Sequence, residues 1–175
     1  MISIHHIIFI FSLFGSQNCE PSELSIAVEE ANIITSGRAG TRMNLQGSYY
    51  TEFFIDELFK SDFFIEYEYI LIESKCSETC SICLTEGEQY ILYGSKSTSK
   101  INSFKVSESF RTKKIKEAQA DLTYLMKLPC EYGESTNRGC PRHLSQVCGC
   151  NGTTYGNACE ASSAGITQWK DGQCR

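Results

Sequence analysis

The chain is 175 residues long, 41% hydrophobic and 21% charged, with a formal net charge of −5 at pH 7 and 10 cysteines. The acidic balance and the lack of a basic cluster argue against nucleic-acid binding. So many cysteines favour an oxidising compartment, and the length suffices for one small domain beside a shorter stapled module.

Residues Ile7 to Phe14 form an apolar run, followed by Gly15, Ser16, Gln17 and Asn18. This reads as a secretory signal peptide over residues 1–18, although the stretch before it offers only His5 and His6 as positive groups. The run is shorter than the about 20 residues that span a bilayer. No second spanning segment follows, so no membrane partner is expected.

Leu24 to Ile34 has helical amphipathic spacing that passes into an extended segment at Ile33–Ile34. Tyr49 to Phe59 and Phe63 to Ile72 read as strands. In the second, period-two alternation puts Ile65, Tyr67, Tyr69 and Leu71 on one face and Glu66 and Glu68 on the other. The carboxylates between residues 52 and 73 read as solvated strand faces. Gln89 to Tyr93 and Ile101 to Val106 are two further short strands, with residues 94–99 as the turn between them. A helix is expected from about Lys114 to Leu128, with Ile115, Ala118, Leu122 and Leu125 on one face and Thr112 as its cap. Several short strands and a terminal helix predict a small β-barrel with a helix packed against it.

No Gly-rich phosphate loop, Gly-x-Ser-x-Gly or His-Glu-x-x-His occurs, so the chain does not read as an enzyme. Cys76, Cys80 and Cys83 have a spacing that iron–sulfur clusters also use. An oxidising compartment opposes such a cluster, and the barrel region holds no His to complete a zinc site. No cofactor and no metal are expected. Asn151-Gly152-Thr153 is a glycosylation sequon.

The C-terminal segment carries Cys130, Cys140, Cys148, Cys150, Cys159 and Cys174. So short a segment cannot bury enough apolar surface to fold without staples. The interval from Cys140 to Cys148, Val147-Cys148-Gly149, Gly152-x-Thr154-Tyr155-Gly156-Asn157-x-Cys159 and Asp171-Gly172-Gln173-Cys174 together resemble the Kazal domain of serine protease inhibitors. The resemblance implies a small disulfide-rich α+β domain over residues 129–175, with Cys140 paired to Cys159 and Cys148 to Cys174. The family usually places a cysteine where this chain has Ser162, and Cys150 is extra. One loss and one gain suggest that Cys130 pairs with Cys150. The resemblance further implies a substrate-like loop of Pro141, Arg142, His143 and Leu144. Arg142 would be the primary specificity residue, Asn157 would bond the loop backbone from behind and Tyr155 would pack beneath it. Arginine there implies a trypsin-like serine protease as partner, through a charge-assisted pair. The alternative is a rigid spacer or matrix contact with no inhibitory activity.

Residues 19–128 resemble the netrin-like domain, the OB-type barrel shared by tissue inhibitors of metalloproteinases. The likeness rests on Cys19, Cys80, the run Glu88-Gln89-Tyr90-Ile91-Leu92-Tyr93 and the segment Glu117-Ala118-Gln119-Ala120-Asp121-Leu122. It implies a Cys19–Cys80 bridge, which leaves Cys76 and Cys83 to close a local loop. In that family the first mature cysteine chelates the target's zinc, so an exposed Cys19 would implicate a metalloprotease. Glu20, where a small residue is typical, and Ser109, where a cysteine is typical, depart from the pattern. A matrix protein bound by the barrel is the other partner the likeness implies. The sequence thus predicts a secreted, extracellular two-domain protein whose best-supported activity is serine protease inhibition through Arg142.

Overall fold

A computed structural model describes residues 21–45, 47–73, 76, 82–98, 102–106 and 111–175. The expected signal segment, Cys19 and Cys80 lie outside the described residues.

The first helix, α1 (Leu24–Glu30), ends where Ala31 turns extended. Lys60 closes its C-terminus by donating from Nζ to the carbonyls of Val28 and Glu29 at 2.9 and 3.1 Å, where orphan carbonyls and the helix dipole favour a cation. Asn32 then ties the chain into the sheet: its N–H reaches Gly94 O at 2.9 Å, and its Oδ1 accepts from Lys96 N at 3.1 Å.

Strands β1 (Ile33–Leu45), β2 (Ser48–Ser61), β3 (Tyr69–Glu73), β4 (Gln89–Lys96) and β5 (Ser103–Val106) close into a five-stranded barrel. The order around it is β1-β4-β5-β3-β2, and β2 returns to β1; β3 and β5 run parallel. Strand β1 continues eleven residues past the Ile34 at which the sequence expectation stopped, through a polar, glycine-bearing stretch to Leu45. Close approach explains the glycines. A Cβ on Gly37 would lie 2.0 Å from the Phe54 carbonyl oxygen, and one on Gly40 would lie 2.6 Å from the Phe54 ring.

A register shift between Ile34 and Thr35, which pair with Lys60 and Leu58 and so skip Phe59, lets both Leu58 and Phe59 be buried. Leu58 joins the barrel interior with Phe53, Ile55, Ile70, Ile72, Tyr90, Leu92 and Phe104. Phe59 joins a second cluster outside the barrel, with Ala27, Ile34, Ile91, Tyr93, Ala118 and Leu125. Strand β4 is therefore apolar on both faces, Tyr90 and Leu92 inward, Ile91 and Tyr93 outward.

Several local expectations are corrected. Residues 62–68 form an irregular connection rather than the first half of a strand, and β3 starts only at Tyr69. Its buried face is Ile70 and Ile72; Tyr67 and Tyr69 are exposed and stack on each other outside, at 5.6 Å between ring centroids. Glu73 is not solvated: it is buried and accepts a hydrogen bond from Ser97 Oγ. The expected turn at residues 94–99 starts late, because Gly94, Ser95 and Lys96 pair with Val106, Lys105 and Phe104. The expected single helix is a short β6 (Lys113–Lys114) paired to β4, a 3-10 turn Ile115–Glu117, and α2 (Gln119–Leu125). Thr112 does not cap that helix; its Oγ1 serves the backbone of Tyr93, accepting from N at 3.1 Å and donating to O at 3.3 Å.

The C-terminal region contributes β7 (Val147–Gly149), β8 (Thr154–Tyr155), α3 (Ala158–Ser163) and β9 (Trp169–Asp171). Strand β7 pairs with both β8 and β9, and β9 also pairs with β2 through Glu57–Lys170 and Leu58–Trp169. Val147, Ala158, Ala161, Ile166 and Trp169 belong to the same apolar cluster as the barrel interior residues. Among the described residues no helix is long and apolar enough to cross a membrane.

Candidate functional site

Three disulfides frame the C-terminal loop: Cys130–Cys150, Cys140–Cys159 and Cys148–Cys174, with Cα separations of 5.4, 5.7 and 4.8 Å. Each separation lies in the range a disulfide spans. Cys140–Cys159 ties the start of the loop to α3, and a closed loop of that size removes about 3 kcal/mol of unfolded-state freedom in the chain-entropy model. Between Cys140 and β7 the chain stands out: Arg142 and His143 are exposed, and Leu144 is 79% exposed.

The loop backbone is held from behind. Asn157, 1% exposed, donates from Nδ2 to Pro141 O and to His143 O, each at 3.0 Å. Those carbonyls flank Arg142. The same side chain caps α3, its Oδ1 accepting from Glu160 N at 2.9 Å. Below the loop, Ser145 N donates to Gly156 O at 2.9 Å. Tyr155 lies against Gly149, and its hydroxyl accepts from Asn151 Nδ2 at 2.9 Å. Asn151 Oδ1 accepts from Thr153 N at 3.1 Å, so the sequon sits in a turn that its own side chain closes.

The barrel also reaches this loop, which nothing local in the sequence signals. The connection 62–68 meets the C-terminal region three times in succession. Arg138 stacks over the Phe64 ring at 4.9 Å, Ile65 N donates to Ser162 Oγ at 3.4 Å, and His143 Nε2 lies 3.0 and 3.1 Å from the two Glu68 oxygens. Ser162 is thus turned toward the barrel, at the position where a cysteine was expected to be replaced.

A second polar centre lies between α2 and the outward face of β4. Asp121 on α2 is 1% exposed and receives Arg111 Nη2 at 3.0 Å, Lys113 Nζ at 3.1 Å and the Tyr93 hydroxyl at 3.0 Å. Burial opposes its charge, but the hydrogen bonds from Arg111, Lys113 and Tyr93 outweigh it and hold the carboxyl below its ordinary range. Tyr93 is pushed strongly up, by burial first and then by the Asp121 charge, and stays a neutral donor. Arg111 also donates to Ser22 O at 2.8 Å, which joins the start of α1 to α2. The centre is saturated with partners and is a structural tie. Cys76 and Cys83 form a disulfide, which removes two of the three sulfurs weighed as metal ligands. No group of three or more metal-binding side chains occurs among the described residues.

Residues 130–174 match the family of Kazal-type serine protease inhibitor domains. The match supports a serine protease inhibitor family for this region. Together with the disulfides, the match points to an extracellular protein. No curated protein matches the chain.

Proposed function

We propose that the protein is a secreted inhibitor of a trypsin-like serine protease, with Arg142 as the specificity residue and Pro141, His143 and Leu144 completing the contact. The observation that carries this reading is the exposed Arg142 between two carbonyls that Asn157 fixes at 3.0 Å, on a loop closed by Cys140–Cys159. A loop held in an extended, substrate-like shape loses little entropy on binding. Its guanidinium can form a bidentate pair with a carboxylate at the base of a protease pocket.

Three further assignments belong to the same reading: a signal peptide over residues 1–18, a barrel domain over 19–128 and a Kazal domain over 129–175. We assign the barrel to the OB-type, netrin-like class. The support is its closed order β1-β4-β5-β3-β2, with β3 parallel to β5 and a helix packed outside. A glycan on Asn151 would stand near the loop and restrict which proteases approach. A second reading, an extracellular binding protein without inhibitory activity, is favoured by one feature. Phe54, Tyr67 and Tyr69 are 47%, 37% and 40% exposed and touch one another on the barrel surface, as residues of a contact surface do.

The test is titration of trypsin with the secreted protein beside Arg142→Glu. Stoichiometric inhibition that disappears in the variant supports the proposal. A correctly disulfide-bonded sample that inhibits no trypsin-, chymotrypsin- or elastase-type protease sinks it.

A further inference from the structure

The reactive loop of a Kazal module is ordinarily supported from within the module, and Asn157 supplies that support here. A second support comes from 75 residues away in the sequence, where Glu68 meets His143 Nε2 at 3.0 and 3.1 Å. Glu68 is itself firmly seated. Ile55 N donates to its carbonyl at 2.8 Å, which fixes it to β2. Its neighbours Tyr67 and Tyr69 stack on each other, and Tyr69 lies 6.3 Å from the Phe54 ring. The same connection is pinned to the C-terminal module at Phe64–Arg138 and Ile65–Ser162.

The remaining charges near this point are otherwise engaged or of the wrong sign. The loop itself carries Arg138 and Arg142. On the connection, Glu66 acts on the Tyr67 hydroxyl, whose titration it raises. On α3, Glu160 accepts from Gly156 N at 3.0 Å. Glu68 is therefore the carboxylate set against His143.

We infer that Glu68 is a positioning residue of the reactive loop: the barrel holds the His143 side chain while Asn157 holds the backbone on either side of Arg142. The inference rests on the inhibitory reading of that loop. It makes the barrel part of the inhibitor rather than an appendage, because the side chain just past Arg142 is braced by a different module from the backbone on either side of it. A half-exposed ion pair of this kind changes an equilibrium by about two- to five-fold.

The experiment uses the full chain, as wild type, Glu68→Gln, His143→Gln and the double variant. Each is titrated against trypsin. Amide hydrogen exchange at His143 and Leu144 is followed in the free proteins. Glu68→Gln should bind about two- to five-fold more weakly than wild type and exchange faster at both amides by a similar factor. In the His143→Gln background Glu68→Gln should change nothing. Equal affinity and equal exchange, with inhibition intact, would overturn the role of Glu68 alone. An effect of Glu68→Gln that persists without His143 would overturn it too. If no variant and no wild type inhibits, the inhibitory reading has failed, and the exchange rates still decide whether Glu68 holds the loop.

Discussion

Asn157 does two jobs with opposite ends of one amide. Its Nδ2 holds Pro141 O and His143 O, and its Oδ1 caps α3. The two jobs can be separated. Asn157→Asp keeps the capping oxygen and loses the donor, leaving two carbonyls without their partner. At about 1 kcal/mol per hydrogen bond, the free protein should lose about 2 kcal/mol of stability and trypsin binding should weaken at least about tenfold. Asn157→Ala loses both functions, and removal of the cap adds about 1 kcal/mol of destabilisation. If Asn157→Asp inhibits as tightly as wild type, the loop does not depend on that donor. Arg142 is a cleaner case, since its side chain is exposed. Arg142→Phe should leave the unfolding transition unmoved and transfer inhibition from trypsin to a chymotrypsin-type protease, measured by parallel titrations. Loss of trypsin inhibition with no gain toward chymotrypsin would mean that the backbone shape fits only one class of cleft.

At the scale of elements, Asp121 joins α2, β4 and β6, with Arg111 just before β6, in one buried centre. Its folded titration is depressed from the ordinary 3.8, so it contributes stability that is present above that value and lost as pH falls through the folded one. Wild-type stability, followed by urea midpoint, should therefore fall below about pH 4, and Asp121→Asn should flatten that part of the profile. At neutral pH the variant should cost about 3 kcal/mol, because Arg111 and Lys113 lose a buried partner. A neutral-pH change within 0.5 kcal/mol, about the range of ordinary surface substitutions, would rule the tie out. This centre was not legible in the sequence, since its members come from three elements brought together only by the fold. Local signals explain both the successes and the failures. The barrel strands with strong apolar runs, at Tyr49–Phe59 and Gln89–Tyr93, could be read because both have buried faces. The second half of β1 could not, because its composition answers to the close approach of Phe54 at Gly37 and Gly40 rather than to burial of side chains. The alternation over 65–71 misled, because its tyrosines stack on the outside while Ile70 and Ile72 fill the core. The C-terminal loop was the most legible part, since its cysteines and Asn157 act within a short stretch of chain. Glu68 was invisible for the converse reason: its partner is 75 residues away.

At the scale of the whole molecule, the stapled module and the barrel share one sheet edge and one apolar cluster. Trp169 is the joint. It is 2% exposed, pairs with Leu58 on β2, and neighbours Lys170, whose Nζ lies 3.9 Å from Glu57. Burial pushes the Glu57 carboxyl up, and Lys170 draws it back only in part. Packing rather than charge therefore carries the junction. Two modules joined by a buried aromatic and a continuous sheet should unfold together. The chain contains one tryptophan, so its fluorescence reports this joint alone. With disulfides intact, the urea transition seen by that fluorescence should superimpose on the far-UV circular dichroism transition of the barrel, as a single cooperative unit requires. Trp169→Ala should then cost about 3–5 kcal/mol and split the dichroism transition in two, because the barrel loses its cover while the three C-terminal disulfides still restrain the module. Trp169→Phe keeps an aromatic at the joint and should preserve a single transition at a lower midpoint. A wild-type fluorescence midpoint well separated from the dichroism midpoint would show two modules that merely touch. A barrel that unfolds separately could not hold His143 through Glu68 under the conditions in which the loop still stands.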